Sequence, residues 1–277
     1  MIEISLSASL VMYKPDLVEL DRTLSALQRA AQVVRQDYAV RLELTLVDNS
    51  YEDSWHQRIQ AQVEKYRGAM PDWSLYLLRS PGNVGYGQGN NLVIKQTDSD
   101  YHLVINPDLF VEPEMLVQAL RFMEANPDVG LLTPAVFGED GARHYLCKRN
   151  PTLFIMFLRN LPFGWIQSLF KSALARFEMR ECNYDDLIDG VEYSSGCCMF
   201  FRTRLLQQIN GFDTDYFLHF EDADISRRML KIARVVYVPS VRVVHRWTRG
   251  THHSLKMRLV TIRSGLIYWS KWGGTFG

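Results

Sequence analysis

Four apolar runs alternate with three helix-length segments over the first 105 residues, and this alternation restricts the fold more than any other feature of the chain. Ile4, Leu6, Ala8 and Leu10 alternate with Glu3, Ser5, Ser7 and Ser9, the two-residue period of a first strand. Pro15 and Asp16 then suit the opening turn of a helix reaching Gln36. A second strand is predicted at Leu42–Val47, a helix at Ser54–Arg67 and a third strand at Trp73–Leu78. The glycine-rich loop Ser80–Gly89 leads to a helix at Asn90–Gln96 and a fourth strand at Tyr101–Ile105. A β-α-β-α-β-α-β order requires crossover connections, so the fold class is α/β with a mostly parallel, doubly wound sheet. Tyr13, Asp48 and Asp108 end the first, second and fourth strands and should gather at one sheet edge, where open α/β folds bind ligands. Pro107 cannot continue a ladder, so the chain should leave the sheet there.

Asp108 at such an edge suits a hard divalent cation that shares its shell with phosphates, although an Asp in a turn can also serve the turn alone. Gly82, Gly85, Gly87 and Gly89 allow close backbone approach, and the helix after them offers N–H groups to a phosphate. The loop is no dinucleotide fingerprint, because it follows the third strand, and it lacks the GK[ST] of a P-loop. A nucleotide-dependent oxidoreductase is disfavoured for the same reason.

The second half carries a different chemistry. Residues 148–180 mix large apolar side chains with six basic residues and one acid, Glu178. That composition suits a membrane-surface segment, a covering helix pair or a dimer contact. Val191–Phe201 reads as a strand with a tight point at Gly196, followed by a helix at Thr203–Ile209. Residues 217–228 begin aromatic and become a helix whose first turn holds Glu221, Asp222 and Asp224. These acids complement the helix dipole, but three of them exceed what capping needs, and one can act as a general base. Val235–Pro239 and Val241–Val244 read as two short strands presenting His245, followed by Arg246, Arg249, His252, His253 and Lys256, a concentration suited to a diphosphate.

Composition sets the outer limits. A 277-residue chain that is 47% hydrophobic and 22% charged is ordinary for a globular protein. The zero net charge conceals an asymmetry: no acid follows Asp224, while eleven Lys or Arg do, which implies an anionic partner. Cys147, Cys182, Cys197 and Cys198 form neither a zinc pattern nor a disulfide framework and fit a reducing compartment. No signal peptide is read at the N-terminus, and no apolar run reaches the ~20 residues of a membrane span.

Taken in order, VMY, VDNS, NVGYGQGNN, INPD, SSGCCMFFR, INGFDTDYFLHFEDADISRR, VPSVRVVH and SGLIYWSKW resemble the inverting family-2 glycosyltransferases of the GT-A fold, especially their bacterial rhamnosyltransferase branch. The resemblance covers nearly the whole chain. It implies a Rossmann-like central sheet flanked by helices, with a smaller acceptor-side sheet and a C-terminal helical segment. Residues 1–110 would form the nucleotide-sugar half and 111–277 the acceptor and catalytic half of a single domain. Asp222 would be the catalytic base, with Glu221 as the alternative. Asp108 would be the last carboxylate of the D-x-D motif, Asn106 replacing the first, with His245 completing a site for Mg²⁺ or Mn²⁺. Tyr13, Asp48, Asn83, Gly85, Asn90, Asn91 and Asn106 would hold the nucleotide, and Arg246, Arg249, His252 and His253 the diphosphate or acceptor. The implied donor is dTDP-L-rhamnose first and a UDP-hexose second; the acceptor is a saccharide on a lipid carrier or lipopolysaccharide. The expected place is the cytoplasm, peripheral on the inner face of the cytoplasmic membrane, with homo-oligomers open and no nucleic acid as partner. A noncatalytic nucleotide-sugar-binding module is the remaining alternative.

Overall fold

A computed structural model describes residues 3–160, 164–246 and 255–273. The elements run β1 (Ile4–Met12), α1 (Leu17–Asp37), β2 (Val40–Asp48), α2 (Asp53–Ala69), β3 (Ser74–Arg79), α3 (Tyr86–Ile94), β4 (Tyr101–Ile105) and β5 (Leu109–Val111). There follow α4 (Met115–Ala125), β6 (Val129–Phe137), β7 (Arg143–His144), β8 (Cys147–Lys148), α5 (Leu153–Asn160), α6 (Gly164–Leu169) and α7 (Lys171–Phe177). The rest comprises β9 (Ile188–Asp189), β10 (Tyr193–Ser194), β11 (Cys198–Arg202), α8 (Thr203–Gln208), α9 (Glu221–Met229), β12 (Arg234–His245) and α10 (Leu255–Trp272).

The main sheet has the order β3-β2-β1-β4-β11-β6-β12-β5, with β7 on β6 and β9 on β12; β8 and β10 form a second, two-stranded ladder. Pairings among β3, β2, β1 and β4 are parallel, as is β6 with β12, whereas β11 and β5 run antiparallel to their neighbours. The mostly parallel α/β sheet is therefore as the sequence implies. On α1, Asp16 caps the first turn by accepting from the Val18 and Glu19 N–H groups. Its Leu20, Leu24, Leu27, Ala31 and Val34 recur at helical spacing and are fully buried against the sheet. Leu6 and Leu10 of β1 enter that core, while Ser7 and Ser9 face the other side and bracket the buried His102 ring at 2.7 and 2.9 Å.

The structure departs from the sequence reading at four places. Pro107 ends β4, but the chain rejoins the same sheet at Leu109, because the 106–108 turn runs along the sheet edge to the end of β12. The helix expected at Asn90 begins at Tyr86: Gly87 and Gly89 lie within it, and a Cβ at either would stand 2.8 Å from Phe212 or Val11. Backbone packing thus outweighs the poor helix propensity of glycine. The strand expected over 191–201 is broken at 195–197, where the chain passes from the small ladder to the main sheet. Conversely, the two strands around Pro239 are one, since a bulge between Val238 and Arg242 lifts the proline out of register.

Candidate active site

The β5–β12 ladder builds the first side of the site. His245 pairs with Leu109, which sets its imidazole beside the preceding residue, and Nε2 lies 3.4 Å from Asp108 Oδ1. The turn is fixed from both flanks: the Thr23 hydroxyl donates to Pro107 O at 2.7 Å, and the Asn106 N–H donates to Cys197 O at 2.9 Å. His144 on β7 also belongs here; its protonation is disfavoured by burial first and by His245 second. Among the described residues no group of three or more His, Cys, Asp or Glu side chains converges to hold a metal alone. Asp108 and His245 offer one carboxylate and one imidazole, so a divalent ion held there would draw the rest of its shell from diphosphate oxygens and water. The donor set fits a cation shared with a ligand. The Arg246 guanidinium points elsewhere, pairing with Glu19 of α1 and, at 3.3 Å, with Glu139. Arg249, His252 and His253 lie outside the described residues.

The carboxyl ends of β1 and β2 form a second side. Met12 pairs with Asp48, whose buried carboxylate accepts from the Ser50 N–H at 2.8 Å and meets His56 Nδ1 at 2.8 Å. Tyr13 is exposed, and with Tyr51, which the sequence reading did not single out, it flanks the Lys14 ammonium at 5.6 and 5.4 Å. Gly85 holds φ +92°, and a Cβ there would stand 2.3 Å from Phe217 O, so only glycine fits between the loop and the 212–220 segment. Asn83 accepts from the Gly85 N–H.

The Asn90 and Asn91 amides both turn inward. Asn90 accepts from Ser9 Oγ at 2.6 Å and donates to Tyr86 O, while Asn91 donates to Phe212 O at 2.7 Å and accepts from the Phe212 N–H at 2.9 Å. These bonds hold the loop's shape.

On the third side, α9 gives its three carboxylates three different environments. Asp224 is tied into the fold by Arg228 Nε at 2.6 Å and Trp272 Nε1 at 2.8 Å. Glu221 is buried, its Oε2 has no hydrogen-bond partner among the described residues, and burial with Asp222 beside it holds its pKa well above the usual carboxylate range. Asp222 alone is partly exposed. It accepts from the Gly196 N–H at 3.0 Å and the Ala223 N–H at 3.0 Å. The start of α9 thus disfavours charge on Glu221 and presents Asp222. His219 and Phe220, just before the helix, both adopt left-handed backbone at φ +70° and +68°, strain of the kind that functional turns retain.

Gly196 and Cys197 join the sides. Gly196 reaches Asp222 through its N–H, and Cys197 reaches the Asp108 turn through its carbonyl. The Cys197 thiol is pushed up to about 11, chiefly by burial, with Asp108 and Asp222 both adding to it. The two carboxylates therefore flank one short segment. Lys148 and Tyr193 also face Asp222: the Tyr193 phenol is raised by burial first and Asp222 second, and Lys148 is lowered by burial against an opposing pull from Asp222. Their pairing across the small ladder brings them together, and no local pattern in the sequence marks it.

Comparison with known proteins supplies the family. A model described as glycosyl transferase family 2 matches residues 19–209, more than half of the chain. The chain belongs to glycosyltransferase family 2. The chain also has relatives at modest identity. An N-acetylglucosaminyl-diphospho-decaprenol L-rhamnosyltransferase of Mycobacterium tuberculosis is 27% identical over 224 residues, covering 76% of this chain and 68% of the relative. The rhamnosyltransferase WbbL of Escherichia coli is 26% identical over 178 residues, covering 60% of this chain and 62% of that protein. Among solved structures, the mannosyltransferase PcManGT of Pyrobaculum calidifontis, in complex with GDP-Man and Mn²⁺, superposes with a TM-score of 0.61 at 15% identity, over 96% of this chain and 63% of that one. TarS of S. aureus gives 0.57 at 18% identity over 93% of this chain, which spans only 39% of TarS. These likenesses establish the GT-A fold.

Proposed function

We propose that the chain is an inverting sugar transferase that moves L-rhamnose from dTDP-L-rhamnose to a saccharide acceptor carried on a lipid diphosphate. The observation that supports the chemistry is the pair Asp222 and Asp108–His245, held on either side of one two-residue segment. The names of the mycobacterial and E. coli relatives support the sugar, and the mycobacterial name supports a polyprenyl-linked acceptor.

In this reading Asp222 accepts the acceptor hydroxyl proton as that oxygen attacks the anomeric carbon. The bond from that carbon to the diphosphate oxygen breaks in the same displacement, configuration inverts, and the nucleoside diphosphate leaves with the electron pair. The buried, neutral Glu221 adds no second negative charge beside the incoming hydroxyl. The Tyr13 and Tyr51 rings offer the nucleotide base a stacking surface, and Asp48 fixes the β2 end beneath them. Mg²⁺ or Mn²⁺, when bound by Asp108 and His245, would neutralise charge on the departing diphosphate.

The membrane enters this reading through exposed side chains. Phe157, Trp165 and Leu169 of α5 and α6 are each more than 60% exposed, with Arg159 and Lys171 beside them. No described helix is long and apolar enough to cross a bilayer, so contact would be at an anionic surface, the cytoplasmic leaflet in this reading.

A thermal-shift series with dTDP-L-rhamnose, UDP-glucose and UDP-N-acetylglucosamine, each with and without Mn²⁺, tests the donor. The largest stabilisation is expected for dTDP-L-rhamnose with Mn²⁺. Transfer to an N-acetylglucosaminyl-diphospho-prenol then tests the reaction. Equal shifts for all nucleotide sugars would reject the rhamnose assignment, and donor binding without transfer or hydrolysis would favour a noncatalytic module.

A further inference from the structure

Resting on Asp222 as the base, we infer that Tyr86 is a positioning residue for it, acting through Gly196. Tyr86 opens α3, directly after the left-handed Gly85, and its ring packs edge-on against Phe212 with centroids 6.1 Å apart. From there its hydroxyl donates to Gly196 O at 2.6 Å, while the Gly196 N–H donates to Asp222 Oδ2 at 3.0 Å. The phenol stays protonated: burial raises it far above its ordinary value, with Cys197 and Glu221 adding to it. It therefore always donates.

The packing leaves no slack. A Cβ on Gly196 would lie 3.2 Å from Asp222 Cβ and 3.5 Å from the Tyr86 ring, so the strap lies flush against both. The next residue is tied by Cys197 O to the Asn106 N–H of the metal-side turn. Gly196–Cys197 thus acts as a spacer between base and cation side, and Tyr86 is the peg that fixes it to the glycine-rich donor loop. The 212–220 segment receives the Tyr86 N–H on Phe217 O at 3.0 Å, two residues before the strained pair that leads into α9. Any movement of the donor loop is transmitted to Asp222 by two routes, of which only the hydroxyl can be deleted without altering the backbone.

The test compares wild type with Tyr86→Phe, Gly196→Ala and Asp222→Asn. It measures kcat and its pH dependence with dTDP-L-rhamnose and an N-acetylglucosaminyl-diphospho-prenol, and donor affinity by calorimetry. Asp222 is also faced by Glu221 of its own helix, Lys148 of β8 and Tyr193 of β10, with Arg159 of α5 near Lys148 and Tyr193; all are retained in Tyr86→Phe.

For Tyr86→Phe, kcat should fall about tenfold, since small misplacements of a reacting group carry such penalties. Donor Kd should stay within about threefold. The acid limb of kcat should move to higher pH, because a weakened N–H bond to a carboxylate favours its protonated form. Gly196→Ala should lower kcat with donor Kd likewise retained. The inference is overturned if both variants keep wild-type kcat and pH profile while Asp222→Asn is inactive. It is also overturned if the loss in Tyr86→Phe lies in donor Kd alone. Near-normal turnover in Asp222→Asn would reject the base itself, a separate pattern from either.

Discussion

Glu221 and Asp222 are adjacent in sequence and identical in charge type, yet the start of α9 buries one and presents the other. Asp222→Asn should therefore retain donor affinity and lower kcat by about a thousandfold, the scale of losing a positioned base. Turnover within tenfold of wild type would reject the role. Glu221→Gln probes the buried partner through stability. Because the folded carboxyl titrates above its ordinary value of 4.5, the unfolded chain ionises first, and wild-type stability is lost as pH rises from 4.5 through the raised pKa. The glutamine variant escapes this loss. Its Tm should match wild type near pH 4 and exceed it by about 2–4 °C at pH 8, the shift about 1 kcal/mol makes in a chain of this size. A gap that is constant with pH would contradict the neutral assignment. The sequence made the ED pair visible as a candidate, but which member is buried depends on residues more than twenty positions away, such as Gly196 and Tyr193.

Among the elements, α3 shows most clearly why local signals run out. Its glycines lower helix propensity, so its sequence suggests a loop until Asn90, yet those glycines permit contact with Val11 and Phe212 that starts the helix at Tyr86. The mirror case is β12, where Pro239 suggests a break that a bulge absorbs. The positions of β1 to β4 were legible, because a period of two and a turn former need no tertiary information, whereas their order in the sheet and the short β5 were not. The backbone bonds of the Asn90 and Asn91 amides were not legible, because an Asn that binds a ligand and one that binds a neighbouring backbone look alike in sequence. Asn91→Ala leaves both polar groups of Phe212 without their partner and should cost about 2 kcal/mol by denaturant unfolding. Asn83→Ala, at the loop's outer part, should instead weaken donor binding with Tm nearly unchanged. Reversed outcomes would restore Asn91 to the ligand side.

For the whole molecule, the exposed apolar residues of α5 and α6 are the outward feature, whereas Arg228, Arg234, Arg242, Arg246 and Lys271 of the acid-free C-terminal segment are paired with carboxylates from earlier in the chain. Wild type should float with phosphatidylglycerol vesicles and much less with phosphatidylcholine. Replacing Phe157, Trp165 and Leu169 together by Ala should lower that partition by about tenfold or more, given the apolar area removed. Equal recovery of both proteins with anionic vesicles would exclude these side chains as the contact. Sequence composition flagged this region but offered three uses for it; exposure removes part of the ambiguity, since a pair of helices fully applied to the sheet would hide these rings.

The short ladder between β5 and β12 has a consequence for how the protein comes into being. Its two strands lie more than 130 residues apart, so a nascent chain displays the INPD turn long before the imidazole that completes it has left the ribosome. Assembly of the Asp108–His245 pair is thereby deferred until β12 has been made. A fragment ending before residue 240 would contain β1 to β5 but lack the strand segment that pairs with β5.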